Sequence, residues 1–518
     1  MGPDQVDVLA ARARSTPDRI ALIDAASGRS VTFGELDRWA ETLARALTAE
    51  LDEQPRIGTL LSPSPAFTAL FHAVVRMGGT LVSLNTRLAA DELATQLSRA
   101  DPDLIVSERA TGDLANRAEE RRQNGKRTPI MSVETLPTAE ANNVPDSDDW
   151  PSRNPEETVL VLFTSGSTGE PKGVRLTGRN LTASATASAY RLGVSPGDRW
   201  LGVLPVYHMG GLAPVVRTAC YGTTLVTLDG FDASEVLAAV ADHDVTGVSL
   251  VPTQLSRLLE ETTGAGRLET LAALETVLLG GAPASAKLFE QAREAGVPVF
   301  PTYGLTETAS QVATARPEQT EDHPETVGQP LFGTRVRILS DGEPVGPGGR
   351  GEIVVDGPTV TPGYLDGDGE AFGPFGFHTG DVGYRDEAGR LWVEGRKDEQ
   401  ILTGGELVAP QEVAERLETH PDVADAAVVG LEDDQWGERV VALVVTEDGE
   451  RTGEGSVAGH ETGAGIDEAM QAALREYCRE RLADYKVPKT VALTDSLPRT
   501  PSGTLDRPAI RERIRNVE

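Results

Sequence analysis

Leu162-Phe-Thr-Ser-Gly-Ser-Thr-Gly-Glu-Pro-Lys-Gly-Val174 continues the apolar, strand-like run of residues 158–163. A strand that opens into a loop of small residues lets backbone N–H groups and hydroxyls converge on phosphate oxygens. Thr164, Ser165, Ser167 and Thr168 supply the hydroxyls, Gly166 and Gly169 permit close backbone approach, and Lys172 adds positive charge. A flexible Ser/Gly loop without a ligand is the bland alternative, which the density of the run and its Pro-Lys-Gly ending disfavour. Gly-Lys-Ser/Thr is absent, so this is not a phosphate loop of the Walker type.

On either side, short apolar runs alternate with helical patterns, at residues 20–23, 57–61, 80–84, 104–107, 223–228, 247–251 and 276–279. Repeated strand-then-helix texture predicts doubly wound α/β layers. Around 328–355 the texture becomes alternating apolar and polar, with Val336, Ile338 and then the run 353–355 between Gly-Pro turns, which predicts a small antiparallel sheet or barrel. After Trp392 a different module begins near 395–401, with a helix pattern at 411–419 and strands at 426–429 and 440–445. Residues 447–465, rich in Gly, Glu and Thr, are expected to be a surface loop of that module. The expected fold is therefore α/β. A large N-terminal region (1–395) of α/β layers plus a small β-barrel precedes a small mobile α+β C-terminal domain (396–518).

At 518 residues the chain exceeds one ordinary core, which fits that division. Acidic residues number 80 against 48 basic ones, for a net charge of -32, and Lys supplies only six of the basic residues. A carboxylate-rich surface of this kind holds water and cations and resists precipitation in concentrated salt, where its self-repulsion is screened, so a halophilic protein is expected. An ordinary acidic cytosolic enzyme is the alternative. Either balance argues against a nucleic-acid partner. Cys220 and Cys478 suggest neither a disulfide framework nor a metal cluster, consistent with a reducing cytoplasm. Asp4, Asp7, Arg12, Arg14 and Asp18 leave the N-terminus without the apolar core of a signal peptide. Arg217 and several glycines interrupt the most apolar stretch, 210–228, so no membrane span is expected.

The phosphate loop is the first of an ordered set: Gly280-Gly-Ala282, Tyr303-Gly-Leu-Thr-Glu307, Thr379-Gly-Asp381, Gly395-Arg396, Gly404-Gly405 and Pro501-Ser-Gly-Thr-Leu-Asp506. With these motifs in this order, nearly the whole chain resembles the adenylate-forming superfamily of acyl-CoA synthetases, peptide-synthetase adenylation domains and luciferases. That resemblance implies ATP, Mg²⁺ and coenzyme A. A carboxylate attacks the α-phosphorus, pyrophosphate leaves, and the CoA thiol then displaces AMP from the acyl-adenylate, the two steps using two orientations of the C-terminal domain.

Carried onto this sequence, the resemblance assigns ATP to residues 164–169 and Lys172. It places Gly280, Gly281 and Ala282 as a wall beside adenine, and Tyr303 with Gly304 against the ring. Thr306 falls on the α-phosphate, Glu307 on Mg²⁺, and Asp381 and Arg396 on the ribose. His208, in Pro205-Val-Tyr-His-Met-Gly-Gly211, matches the gate between acyl pocket and thiol channel, with a satisfied buried histidine as its alternative. Asp398 matches the hinge. Gly404 and Gly405 match the loop lining the pantetheine tunnel, an ordinary turn being their plain reading. Catalytic weight falls on Lys172, Thr306, Glu307 and His208. Thr504 departs from the pattern, because it stands where the superfamily usually has a Lys that bridges carboxylate and phosphate. A Thr supplies no charge, so adenylation is either slower or assisted by Arg499, Arg507, Lys486 or Lys489.

Within the superfamily, Leu279-Gly-Gly-Ala-Pro-Ala284, Thr306-Glu-Thr-Ala-Ser-Gln311 and Gly357-Pro-Thr-Val-Thr-Pro-Gly-Tyr364 look most like the o-succinylbenzoate-CoA ligases of menaquinone biosynthesis. Such a substrate is an aromatic dicarboxylate, so the pocket needs a polar or cationic partner for the carboxylate that is not activated. Ser310, Gln311, His208 and Arg217 are candidates, with a surface charge as the equal alternative for Arg217. A medium-chain or aryl acyl-CoA synthetase is the alternative of the same chemistry. A catalytically weakened homologue that binds ATP or acyl-adenylate is the alternative of another class. The expected partners are a small-molecule carboxylate, ATP and CoA, with no nucleic acid, no membrane span, a cytoplasmic location, and a homodimer allowed for.

Overall fold

The computed structural model describes residues 7–122, 127–138, 150, 153–165, 171–265, 267–323, 325–367, 371–403, 406–433, 436–446, 468–500 and 504–517. All eight apolar runs read from the sequence are strands, and they fall into two sheets. One has six strands in the order Ile130–Ser132, Leu104–Ser107, Arg56–Leu60, Thr80–Ser83, Thr158–Ser165, Pro171–Thr177. It is parallel except for the last pair, so the Ser/Gly loop is the connection of an antiparallel hairpin in which Thr164 faces Lys172. The other has nine strands, parallel from Val299–Leu305 through Thr276–Leu279, Gly247–Leu250, Arg199–Gly202 and Thr224–Thr227 to Ile20–Asp24, with antiparallel strands at both ends.

The composition of these strands accounts for their parallel pairing. Leu104–Ser107 and Gly247–Leu250 are buried at every residue, as expected of strands covered by helices on both faces. Capping then fixes where the covering helices begin. Thr32 and Glu35 bond reciprocally at the start of helix Phe33–Thr48, as do Thr177 and Asn180 at the start of Gly178–Leu192. The second of these helices ends on Gly193, in the left-handed region at φ +76°.

The alternating segment forms a six-stranded antiparallel, barrel-like sheet built on Arg335–Ser340, Arg350–Asp356, Gly376–Arg385 and Leu391–Arg396, and its pairing leaves it open at the edges. Arg396, the first residue of the expected C-terminal domain, ends the last of these strands opposite Asp381.

Beyond it, Val423–Asp433 and Gly437–Thr446 form a long antiparallel pair carrying Thr490–Leu493 in parallel. Alternate residues on these strands serve two cores. Ala426, Val428, Ala442 and Val444 pack with Val413 and Leu474, while Ala427, Val429 and Leu443 pack with Ile510 and Ile514. Each buried Val, Leu or Ile among them contributes about 1.5–3 kcal/mol of transfer free energy, so period-two patterning is enough to place helices on both faces. The surface loop expected at 447–465 lies outside the described residues.

Candidate active site

The carboxyl ends of adjacent parallel strands are where open α/β sheets bind ligands, and two of the quoted motifs lie there side by side. Leu279 pairs with Pro301, so Gly280 follows one strand level with Thr302 on the next. A Cβ on Gly280 would lie 2.7 Å from Thr302 Cγ2, and Gly281 follows at φ +82°. The strand after Tyr303 reverses within a short 3-10 turn, Thr306–Thr308, and returns as Ser310–Thr314. The register slips between Tyr303 and Gly304, which brings the Ser310 carbonyl so close that a Cβ on Gly304 would meet it at 1.8 Å. Ala309 (φ +50°) and Ser310 (φ +111°) both adopt positive φ without being glycine. Strain of this kind persists where surrounding structure fixes a functional turn.

That turn holds the buried Glu307. Its Oε1 accepts a hydrogen bond from the Tyr364 hydroxyl at 3.1 Å, and Lys172 Nζ sits 5.4 Å from the Tyr364 ring centre. Burial pushes the Glu307 carboxyl above its ordinary range, and no cation lies within 4 Å of it among the described residues. A desolvated carboxylate with spare lone pairs suits a hard cation whose other ligands are phosphates and water, as Mg²⁺ prefers. Among the described residues no cluster of three His, Cys, Asp or Glu could supply a metal cage from protein alone. Tyr364 was absent from the expected site residues. Its signal lay in the quoted Gly357–Tyr364 segment, which bridges Val174 and so brings the tyrosine beside the hairpin that carries Thr164 and Lys172.

Asp381 and Tyr303, expected to serve ribose and adenine separately, are joined. The Tyr303 hydroxyl donates to Asp381 Oδ2 at 2.5 Å, and Arg396 Nη1 lies 3.4 Å from Oδ1. Burial raises the Asp381 carboxyl, an effect that the Tyr303 hydrogen bond and the Arg396 charge oppose. Arg396 Nη1 also donates to the Thr379 carbonyl at 3.0 Å, and its Nε donates to Asp398, the expected hinge residue, at 3.2 Å.

Where the acyl pocket is expected, helix Met209–Tyr221 begins at His208, whose ring packs edge-on against Tyr207 at 4.7 Å. Burial, aided by the charge of Arg87, lowers the His208 imidazole to about 4, so the ring is neutral at ordinary pH. Two turns on, Arg217 is only 7% exposed. Its Nη2 donates to Gln311 Oε1 at 2.9 Å and lies 3.4 Å from Ser310 Oγ, while Gln311 Nε2 donates to Thr314. No carboxylate lies within 4 Å of this guanidinium among the described residues, and its Nε has no hydrogen-bond partner. The structure thus gathers Arg217, Ser310 and Gln311 from three places in the sequence.

Thr164 and Thr306 are half-buried, one beside Lys172 and the other at the start of the Glu307 turn. Residues Gly166, Ser167, Thr168 and Gly169, Gly404 and Gly405 of the expected tunnel, and residues 501–503 lie outside the described residues, as does the side chain of Ser165. The four cations considered in connection with Thr504 separate clearly. Arg499 pairs with Asp425 at 2.8 Å, Lys486 with Glu412 at 2.6 Å, and Lys489 lies over the Trp436 ring at 5.1 Å. Arg507 instead pairs at 2.7 Å with Glu399, in the turn that follows Arg396, and its guanidinium feels the charges of both Asp398 and Arg396.

A buried carboxylate bonded to Tyr303 and Arg396, a second buried carboxylate near the hairpin of Thr164 and Lys172, and a buried guanidinium among polar side chains suit an enzyme that handles a nucleotide and an anionic co-substrate. Residues 9–365 match the AMP-binding enzyme family and residues 412–504 match the AMP-binding enzyme C-terminal domain. The chain belongs to the AMP-binding enzyme family. It is 37% identical over 514 residues, 98% of each chain, to the 2-succinylbenzoate–CoA ligase of Bacillus velezensis. Among solved structures, o-succinylbenzoate CoA synthetase of Bacillus subtilis in complex with its acyl-adenylate intermediate superposes with a TM-score of 0.84 at 34% identity, covering 98% of both chains. The ATP-bound MatB of Rhodopseudomonas palustris gives 0.85 at 27% identity, again over 98% of each chain.

Proposed function

We propose that this protein is an ATP-dependent, AMP-forming acid:CoA ligase that activates 2-succinylbenzoate in menaquinone biosynthesis. The observation that carries the choice of acid is Arg217, a buried guanidinium that faces Ser310 and Gln311 and has no carboxylate partner among the described residues. An uncompensated buried charge is costly, and a dianionic substrate relieves that cost by placing its second carboxylate there. A monocarboxylate would leave Arg217 unpaired, which disfavours the medium-chain and simple aryl alternatives.

The chemistry follows from the rest of the site. Asp381 and Arg396 hold the ribose, Tyr303 and the Gly280–Gly281 turn flank the base, and Lys172 with Thr164 faces the phosphates. Glu307 is the residue to hold Mg²⁺, which when bound neutralises charge developing on phosphate oxygens. The acid attacks the α-phosphorus and pyrophosphate leaves; the thiol of CoA then attacks the acyl carbon and AMP leaves. His208, neutral at the head of its helix, separates the acyl pocket from the thiol's path without adding a charge. The division at 395/396, the hinge at Asp398 and the tunnel at Gly404 and Gly405 belong to the same proposal, as do a halophilic surface and a cytoplasmic setting. Among the described residues no helix is long and apolar enough to cross a membrane.

The test is direct. In molar KCl with MgATP, 2-succinylbenzoate is expected to release pyrophosphate, and added CoA to give the thioester. Turnover of fatty or simple aryl acids with none of 2-succinylbenzoate would remove the choice of acid and leave the ligase. Nucleotide binding without turnover of any acid would favour the weakened homologue.

A further inference from the structure

Glu352 lies outside every group of residues assigned above, yet its carboxylate touches both the ribose turn and the hinge. It stands on strand Arg350–Asp356, opposite Val382 of Gly376–Arg385. Between the pairs Glu352–Val382 and Val354–His378 the second strand carries two extra residues, a bulge at Thr379, Gly380 and Asp381. Three hydrogen bonds hold it: Thr379 Oγ1 to the Ile353 carbonyl (2.8 Å), Asp381 N to Thr379 Oγ1 (3.0 Å), and Gly380 N to Glu352 Oε1 (3.3 Å). Gly380 is left-handed at φ +73°, and a Cβ there would lie 2.9 Å from Arg396 Nη2, so the bulge is what aims Asp381 at Tyr303 and Arg396.

The other oxygen of Glu352 looks toward the hinge. Lys397 Nζ approaches Oε2 at 3.4 Å and His378 Nδ1 at 3.3 Å. Lys397 immediately precedes Asp398, and its side chain is 66% exposed whereas that of Glu352 is 15% exposed. An ion pair this exposed contributes little to stability, so its consequence is geometric. It pins the residue before the hinge to the same carboxylate that shapes the ribose turn.

We propose that Glu352 is a positioning residue for the ligase reaction, one that presents Asp381 to the ribose and ties that presentation to the hinge. The inference rests on the nucleotide binding at Asp381 proposed above. The experiment compares AMP and ATP binding by calorimetry with the rates of pyrophosphate release and of thioester formation from preformed acyl-adenylate. The variants are Glu352→Leu, Glu352→Gln and Lys397→Met, each checked for a native melting transition. Glu352→Leu loses a hydrogen bond to a charged acceptor and is expected to weaken nucleotide binding about ten-fold. Glu352→Gln keeps an acceptor for Gly380 and should restore most of that loss. Lys397→Met should keep nucleotide affinity within about two-fold and change the ratio of the two half-reaction rates by about three-fold or more. A folded Glu352→Leu protein with wild-type nucleotide affinity, or a Lys397→Met protein with an unchanged ratio, overturns the inference. If the wild-type protein itself ignores both nucleotides, the proposed function falls instead, which keeps the two failures distinct.

Discussion

Replacing Arg217 by Met separates what the pocket needs for binding from what the fold needs for stability. Met keeps the length and apolar stem of the side chain and removes only the guanidinium. In the free protein the change removes two hydrogen bonds, of 2.9 Å to Gln311 and 3.4 Å to Ser310, a loss of about 1–2 kcal/mol, and also a buried charge with no carboxylate within 4 Å among the described residues. Desolvating such a charge costs several kcal/mol, so the melting temperature should hold or rise. With substrate the balance reverses. A hydrogen bond between ionised groups contributes about 1.5–3 kcal/mol, so KM for 2-succinylbenzoate should rise about ten- to a hundred-fold, with KM for ATP unchanged. An analogue lacking the carboxylate that is not activated should react equally poorly with both proteins. Pyrophosphate release at varied acid concentration and a thermal melt measure the two halves. A variant that melts well below the wild type and keeps its KM for the diacid would show that Arg217 is a structural cation, and the choice of substrate would lose its support.

Three other outcomes are expected. Glu307→Gln keeps the acceptor for Tyr364 but loses the charge that suits a divalent cation. It should slow adenylation by about 2–4 kcal/mol of activation free energy and shift the Mg²⁺ midpoint of pyrophosphate release upward, and an unchanged midpoint would count against the metal assignment. Gly304→Ala drives a Cβ to 1.8 Å from the Ser310 carbonyl and should cost about 1–3 kcal/mol together with most of the activity; a melt and turnover indistinguishable from wild type would show that the two strands can separate freely. His72, fully buried, has its imidazole lowered by burial from 6.5 to about 4. The unfolded chain therefore takes up the proton first, so stability is complete above about pH 6.5 and falls by about 3 kcal/mol as the pH drops to about 4. Denaturant melts across that range should show the slope, and His72→Gln should reduce it; an equal slope in the variant would assign the acid sensitivity to other groups.

Local patterning carried much of this protein into view from its sequence. Runs such as 104–107 and 247–250 are strands because continuous aliphatic residues suit a sheet covered on both faces, and the alternation at 335–338 suits one covered on a single face. The glycines at 280 and 304 and the acid at 307 were legible because a tight turn or a desolvated carboxylate tolerates few substitutes, and such positions stand out in a short motif. Pairings over long sequence distances were not legible. Arg217 and Gln311 are 94 residues apart, Tyr303 and Asp381 are 78, and Glu307 and Tyr364 are 57. Arg217 in particular read equally well as a surface charge, since a helix pattern alone does not say which side chain turns away from water. Packing of the helix Met209–Tyr221 against the returning strand Ser310–Thr314 buried it, and burial without a carboxylate partner among the described residues is what makes it informative. The register slip between two strands likewise gave Glu352 its contact with Gly380, because hydrogen-bonding partners across a sheet are chosen by tertiary geometry and not by neighbours in the chain.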